Sequence, residues 1–158
     1  MWLLFTVLFH PPQIDPTYAD GLKILKTEGT QAALDYYRKG ASETGKPELL
    51  FGLAWTFWKK GDLERAEKAC LYLIAKSDDG EPKEEIKKYL GQTWYLLAFI
   101  YSHKSTNMED ASRCFQLAIN EFRKSNHHYF NIFLSYLGLA HVKYMQSDLD
   151  ASEEFLSL

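Results

Sequence analysis

From Pro16 onward, apolar residues recur at intervals of three and four, the period of helices with a buried face. Polar or glycine breaks separate the runs at Gly29, Gly45, Gly61, Gly80 and the Ser105-Thr106 turn. Cap-forming residues open them: Thr30 before QAALDYY, Asp62 before LERAEKA, Asn107 with Asp110 three residues later, Asn126 and Asp148. Pro47 and Pro82 fit a first helical turn, as does Pro16 with Asp15 as its cap. The pattern predicts helices at about 17–28, 30–43, 47–60, 62–77, 83–104, 108–124, 127–146 and 148–158, joined by short turns into hairpins. No strand-like alternation is convincing outside residues 2–9.

Trp94 to Tyr101, WYLLAFIY, departs from a simple stripe, being apolar or aromatic throughout. Trp94, Leu97, Ala98 and Tyr101 form one face at helical spacing, and Tyr95 and Phe99 form a second. Residues 49–73 behave alike: Leu50, Leu53, Ala54 and Phe57 make one stripe, and Phe51, Trp55 and Trp58 another. A helix that covers a single core needs only one such stripe.

The N-terminus, MWLLFTVLFHPP, has a run from Trp2 to Phe9 that is apolar except for Thr6. It lacks the charged region and small-residue cleavage site of a signal peptide and is far shorter than the ~20 residues of a membrane span. The prolines of His10–Pro16 forbid a continuous helix and read as a linker. Residues 1–16 are therefore expected to be an apolar segment and tether. The tail of a preceding domain, or a cap, would account for it; the sharper expectation is that it packs on an aromatic surface, in cis or from a neighbouring subunit.

Three segments align: LLFGLAWTFWKKGDLERAEKACLYL (49–73), TWYLLAFIYSHKSTNMEDASRCFQLA (93–118) and SYLGLAHVKYMQSDLDASEEFL (135–156). Each has an apolar helix with a small residue midway, a polar turn, and a helix with an early alanine. Small side chains let the two backbones of a hairpin approach closely. The second segment, with Trp94, Leu97, Ala98, Tyr101, Ala111, Phe115 and Ala118, resembles the tetratricopeptide repeat family, whose pattern is W-x2-L-G/A-x2-Y followed by A-x3-F-x2-A. The first matches at Leu50, Leu53, Ala54, Phe57, Gly61 and Ala66, with Cys70 and Leu73 in the last two places. The third matches at Leu137, Gly138, Ala151 and Phe155, and Ala33 with Tyr37 makes an earlier half-match. The early alanines are 33, 45 and 40 residues apart, so helices and loops are longer than in a regular array, most visibly around 78–104.

The resemblance covers about residues 17–158. It implies an all-α fold, a right-handed superhelical stack of antiparallel hairpins with about three and a half repeats. It also implies a concave surface lined by the first helix of each repeat. Carried over onto this sequence, the ligand-facing positions are Glu48, Phe51, Trp55, Trp58 and Lys59; then Gln92, Tyr95, Phe99, Ser102 and His103; then Ile132, Ser135, Leu139, Val142 and Lys143. These coincide with the surplus apolar stripes. A wide apolar face also arises from stacking alone, since a first helix touches its partner and both neighbouring repeats. The chain stops at Leu158 within what would be a second helix, and solenoids usually close with a polar cap. The expectation is a fragment of a larger protein, or an open end covered by another subunit.

Composition narrows the chemistry. The chain of 158 residues carries a net charge of −3 and no basic run, which argues against nucleic acid, where Lys and Arg on phosphates supply the affinity. Aromatics reach 15%, a share that serves either a core or a contact surface. Cys70 and Cys114 have no CxxC spacing and fall in helical patterns, so they read as core residues in a reducing, cytoplasmic compartment. No HExxH, GxSxG or phosphate-binding glycine loop is present. The adjacent His127 and His128 diverge on a helix, and Glu84-Glu85, Asp78-Asp79 and Glu153-Glu154 sit near helix starts, where the helix dipole favours negative charge. No metal, cofactor or catalytic group is expected.

The function read from this is a protein- or peptide-binding scaffold with an aromatic groove, as a regulatory or sensory module of a larger bacterial protein. The charged groove that this family uses for carboxylate-terminated peptides is absent, so the expected ligand is an apolar or aromatic segment. Two alternatives stand beside it. One is a small-molecule or signal-peptide sensor, anchored by Lys59, Gln92, His103 and Lys143. The other is a structural oligomerisation module that self-associates through residues 2–9 or the open C-terminal end.

Overall fold

The computed structural model describes residues 16–78, 84–104, 107–124 and 129–146. Among them are seven helices and no strand: α1 (Pro16–Thr27), α2 (Thr30–Thr44), α3 (Pro47–Lys59), α4 (Leu63–Asp78), α5 (Glu84–His103), α6 (Met108–Lys124) and α7 (Tyr129–Met145). The expected elements at 2–9 and 148–158 lie outside the described residues, as do the signals at Asp15, Gly80, Pro82, Ser105-Thr106, Asn126 and Asp148.

The punctuation acts through identifiable groups. Asp62 caps α4, its carboxylate accepting from the Arg65 backbone N–H at 3.1 Å. Pro47 opens α3 in its first turn. Thr30 differs from the expectation: it is the first residue of α2 and Gly29 is the cap, at φ 92° with no side-chain hydrogen bond. A backbone with that φ suits glycine, and the position before α2 therefore went to Gly29. Gly45 ends α2 in the left-handed region at φ 63°, its N–H donating to Ala41 O at 2.9 Å.

Each helix packs on the next along the chain. In addition α1 touches α3, α3 touches α5 and α5 touches α7, whereas no even-numbered helix touches another among the described residues. The odd helices form a contiguous layer and the even ones are splayed, so the stack curves with the odd helices inside. The fold class is all-α, a stack of antiparallel helical hairpins.

Glycines and rings hold the layers together. The Tyr37 ring of α2 lies between Gly21 of α1 and Gly52 of α3; a Cβ on either glycine would fall 2.1 Å and 2.3 Å from ring carbons. Its hydroxyl donates to the Tyr18 carbonyl at 2.9 Å. Phe115 of α6 packs in the same way on Gly138 of α7, and Phe122 on Gly91 of α5. The small signature residues Ala33, Ala54, Ala66, Ala98, Ala111 and Ala118 are all buried. Leu137 corrects the alignment: it occupies the place of a core leucine in the third segment but is exposed.

Candidate functional site: the inner layer of odd helices

The first helix of each aligned segment is α3, α5 and α7, so the carried-over positions all fall on the inner layer. Their accessibility grades along α3 and α5 but not along α7. On α3, Glu48, Phe51 and Trp55 are buried, while Trp58 and Lys59 are half-buried. On α5, Gln92 and Tyr95 are buried, Phe99 and Ser102 half-buried and His103 exposed. On α7, Ser135, Leu139 and Val142 are buried, and Ile132 and Lys143 half-buried. On α3 and α5 the accessible members lie toward the C-terminal ends, which form a rim; on α7 they stand near both ends, Ile132 early and Lys143 late, with buried positions between them.

The buried end is an aromatic cluster. Phe51 lies 5.8 Å from Tyr18 of α1 and 5.8 Å from Tyr89 of α5, between ring centroids. Tyr18 and Tyr89 were not among the residues picked out in the sequence: neither belongs to a repeat signature, and only the packing of α1 and α5 on α3 brings them in. Burial pushes the Tyr18 hydroxyl above the ordinary tyrosine range, with Tyr89 adding to it. Further along, Tyr95 and Phe99 stack on each other at 5.0 Å and meet Phe115 edge-on at 5.7 and 5.5 Å. Phe51 and Tyr95 are thus part of what joins the helices.

The rim differs in character. The Trp55 and Trp58 rings lie 4.9 Å apart, and the Lys59 ammonium sits 5.2 Å from each centroid. Partial burial pulls the Lys59 ammonium below its ordinary value. A cation over two indoles is attracted by their quadrupoles, which holds the pair in place. One His103 ring nitrogen is 2.8 Å from the Phe99 carbonyl, and Ser102 donates to the same carbonyl at 2.9 Å. Lys59 and Lys143 each occupy the last turn of their helix, where positive charge offsets the exposed carbonyls, and His103 holds the same place on α5.

Glu48 and Gln92 are polar as well as buried. Glu48, in the first turn of α3, has its carboxylate 3.7 Å from the Lys46 ammonium. Gln92 is 1% exposed, and neither its amide nitrogen nor its amide oxygen has a hydrogen-bond partner. It shares a helical face with Tyr95, Phe99 and His103, being three, seven and eleven residues before them.

Other chemistry has little footing. The Lys87 ammonium, 2.8 Å from Glu84, holds that carboxyl below its usual range, the opposite of what a general acid needs. Among the described residues, no three His, Cys, Asp or Glu side chains converge to hold a metal ion, and no helix is long and apolar enough to cross a membrane. Cys70 and Cys114 are free and buried; burial pushes the Cys114 thiol up to about 12 and that of Cys70 higher still.

No family model and no curated protein matches the sequence. Among solved structures, the chain is similar to MamA 41-end from Desulfovibrio magneticus RS-1, at 17% identity and a TM-score of 0.38, over 92% of this chain and 94% of that one. A MamA RS-1 double mutant is similar at 16% identity and a TM-score of 0.37, over 92% of this chain and 93% of that one.

Proposed function

We propose that this chain is a protein-interaction scaffold that binds an apolar or aromatic peptide segment along the inner layer of odd helices. The observation that carries the reading is the rim: Trp58 and Lys59 toward the end of α3, and Phe99 and His103 toward the end of α5, keep accessible surface on two helices that pack on each other. Trp and Tyr give large contact area for little lost side-chain entropy, which suits them to binding. The same reading makes the chain the interaction module of a larger protein in a reducing, cytoplasmic setting, consistent with two free buried cysteines.

Panning a displayed library of random peptides against the full chain tests this. Aromatic peptides are expected to enrich, and the pair Trp58→Ala, His103→Ala is expected to weaken them about 30-fold or more at unchanged helicity, the usual loss for an aromatic anchor. Retained binding by the double variant would overturn the site. Trp55 is left intact because it is buried, and its removal would disturb the core.

A second reading, self-association, is favoured by α7. Phe130, Phe133, Leu137, Tyr144 and Met145 are exposed along one broad side of that helix. Contiguous apolar surface on that scale marks interaction sites more often than chance.

A further inference from the structure

We infer that α1 is a displaceable helix: a partner's amphipathic helix with an aromatic residue in its first turn takes the place of α1 on α2, α3 and α5. This rests on the peptide-binding reading above and names the kind of peptide and the part of the inner layer that receives it.

The first support is how α1 is held. Of residues 17–27 only Tyr18 and Gly21 are buried, whereas most of α3 is. The Tyr18 ring reaches into the inner layer, 5.8 Å from Phe51 of α3, 6.5 Å from Tyr89 of α5 and 6.1 Å from Tyr37 of α2 between centroids. Leu22, Ile24 and Leu25 are only partly buried against the core. One aromatic peg is thus the deepest contact of α1. Phe51 is among the positions carried over as ligand-facing, so Tyr18 covers a place where the resemblance puts a ligand. The second support is polar. Tyr37 donates to the Tyr18 carbonyl at 2.9 Å, and Tyr36 donates to the Thr17 carbonyl at 3.1 Å. Both acceptors are main-chain atoms of a first turn, which any helix presents. The surface therefore asks of its occupant a helix start and an aromatic ring, the terms on which amphipathic helices seat in grooves. The third is the joint. Only Glu28 and Gly29 connect α1 to α2. Gly29 is at φ 92°, and among the described residues nothing beyond its chain neighbours lies within 4 Å of where a Cβ would stand. A glycine in open space can change its backbone angles without collision, and hinges are a few such residues at element ends. Segments with few buried side chains are the ones that open locally. Opening at Gly29 bares Phe51 and Tyr89, and the packing of α5 on α3 and on α7 does not involve α1.

The test uses full-length chains and a labelled synthetic peptide of residues 16–28, a free copy of α1, read by fluorescence anisotropy. In the chain carrying Tyr18→Ser the resident peg is gone, so the peptide is expected to bind it about tenfold tighter, or more, than the unaltered chain. The same peptide made with Tyr18→Ser is expected to lose that gain. A second measurement needs no altered chain, and so stands even if Tyr18→Ser fails to fold. Saturating peptide is expected to speed hydrogen exchange of the unaltered chain's own α1 amides about tenfold, because it traps the opened form, and to leave the α5 amides unmoved. Equal affinity of the unaltered and Tyr18→Ser chains at equal helicity would overturn the inference. So would bound peptide with α1 exchange unmoved, because the peptide would then sit elsewhere. If library peptides bind at Trp58 while the 16–28 peptide binds neither chain, α1 is a fixed part of the fold and the scaffold reading stands. If neither kind of peptide binds, both fail.

Discussion

Gln92 shows how a single buried side chain can cost stability. A buried amide with neither atom satisfied costs on the order of 1–3 kcal/mol. Methionine has nearly the same shape and no such demand, so Gln92→Met is expected to raise stability by about that amount, measured as a shift in the denaturant midpoint at unchanged slope. Gly52 is sensitive in the other direction. A methyl there would sit 2.3 Å from the Tyr37 ring, which is already pinned against Gly21. Gly52→Ala is therefore expected to destabilise by about 1–3 kcal/mol, the usual cost of overpacking, despite alanine's better helix propensity. The cysteines offer a third check. With Cys114 pushed up to about 12 and Cys70 higher, the thiolate fraction at pH 8 is roughly one part in ten thousand or less. Raising the pH toward 12 would populate the thiolate, and lowering it would not. At pH 8 neither thiol is expected to react with a chromogenic disulfide in the native chain, and both should react promptly in denaturant.

Among the elements, α6 and α7 make the sharpest contrast. Phe115 ties α6 to both of its neighbours, meeting Tyr95 and Phe99 on α5 and seated over Gly138 on α7. Truncating it to alanine opens space on both sides, and a loss of about 3–5 kcal/mol is expected in equilibrium unfolding. Helix α7 is apolar around most of its circumference, yet its contacts with α6 and α5 consume only part of it. If the remainder joins copies of the chain, Phe133→Glu with Leu137→Glu should convert a concentration-dependent oligomer to a monomer in light scattering, with helicity retained. A wild-type chain that is monomeric at every concentration would remove the self-association reading.

At the scale of the whole molecule, packing is local along the chain, with one exception that gives the stack its curvature. Among the described residues the odd helices touch each other and the even ones do not, so α3 and α5 are enclosed on more sides than α1. In native-state hydrogen exchange their amides are expected to be the slowest and those of α1 faster, because opening follows local packing. On α3 and α5 the carried-over positions split into a buried N-terminal part and an accessible C-terminal part. Phe51 and Tyr89 join α3 to α5 and Tyr95 meets Phe115 of α6, whereas toward the C-terminal ends Trp58, Phe99 and His103 keep accessible surface.

The chain alone was enough to determine the seven described helices, several of their ends and the small residues at their crossings. A helical period, a capping carboxylate at Asp62 and a glycine at φ 63° are properties of a few consecutive residues, and they act in the same way wherever the segment sits. It did not reveal which of two apolar stripes on α3 and α5 stays accessible. A period says that a face is apolar and not what touches it. Phe51 and Trp58 belong to the same stripe and look equivalent in sequence; Tyr18 and Tyr89, from helices that arrive 33 residues before and 38 after, bury one end of it. Only tertiary packing decided that, because burial is a relation between segments distant along the chain.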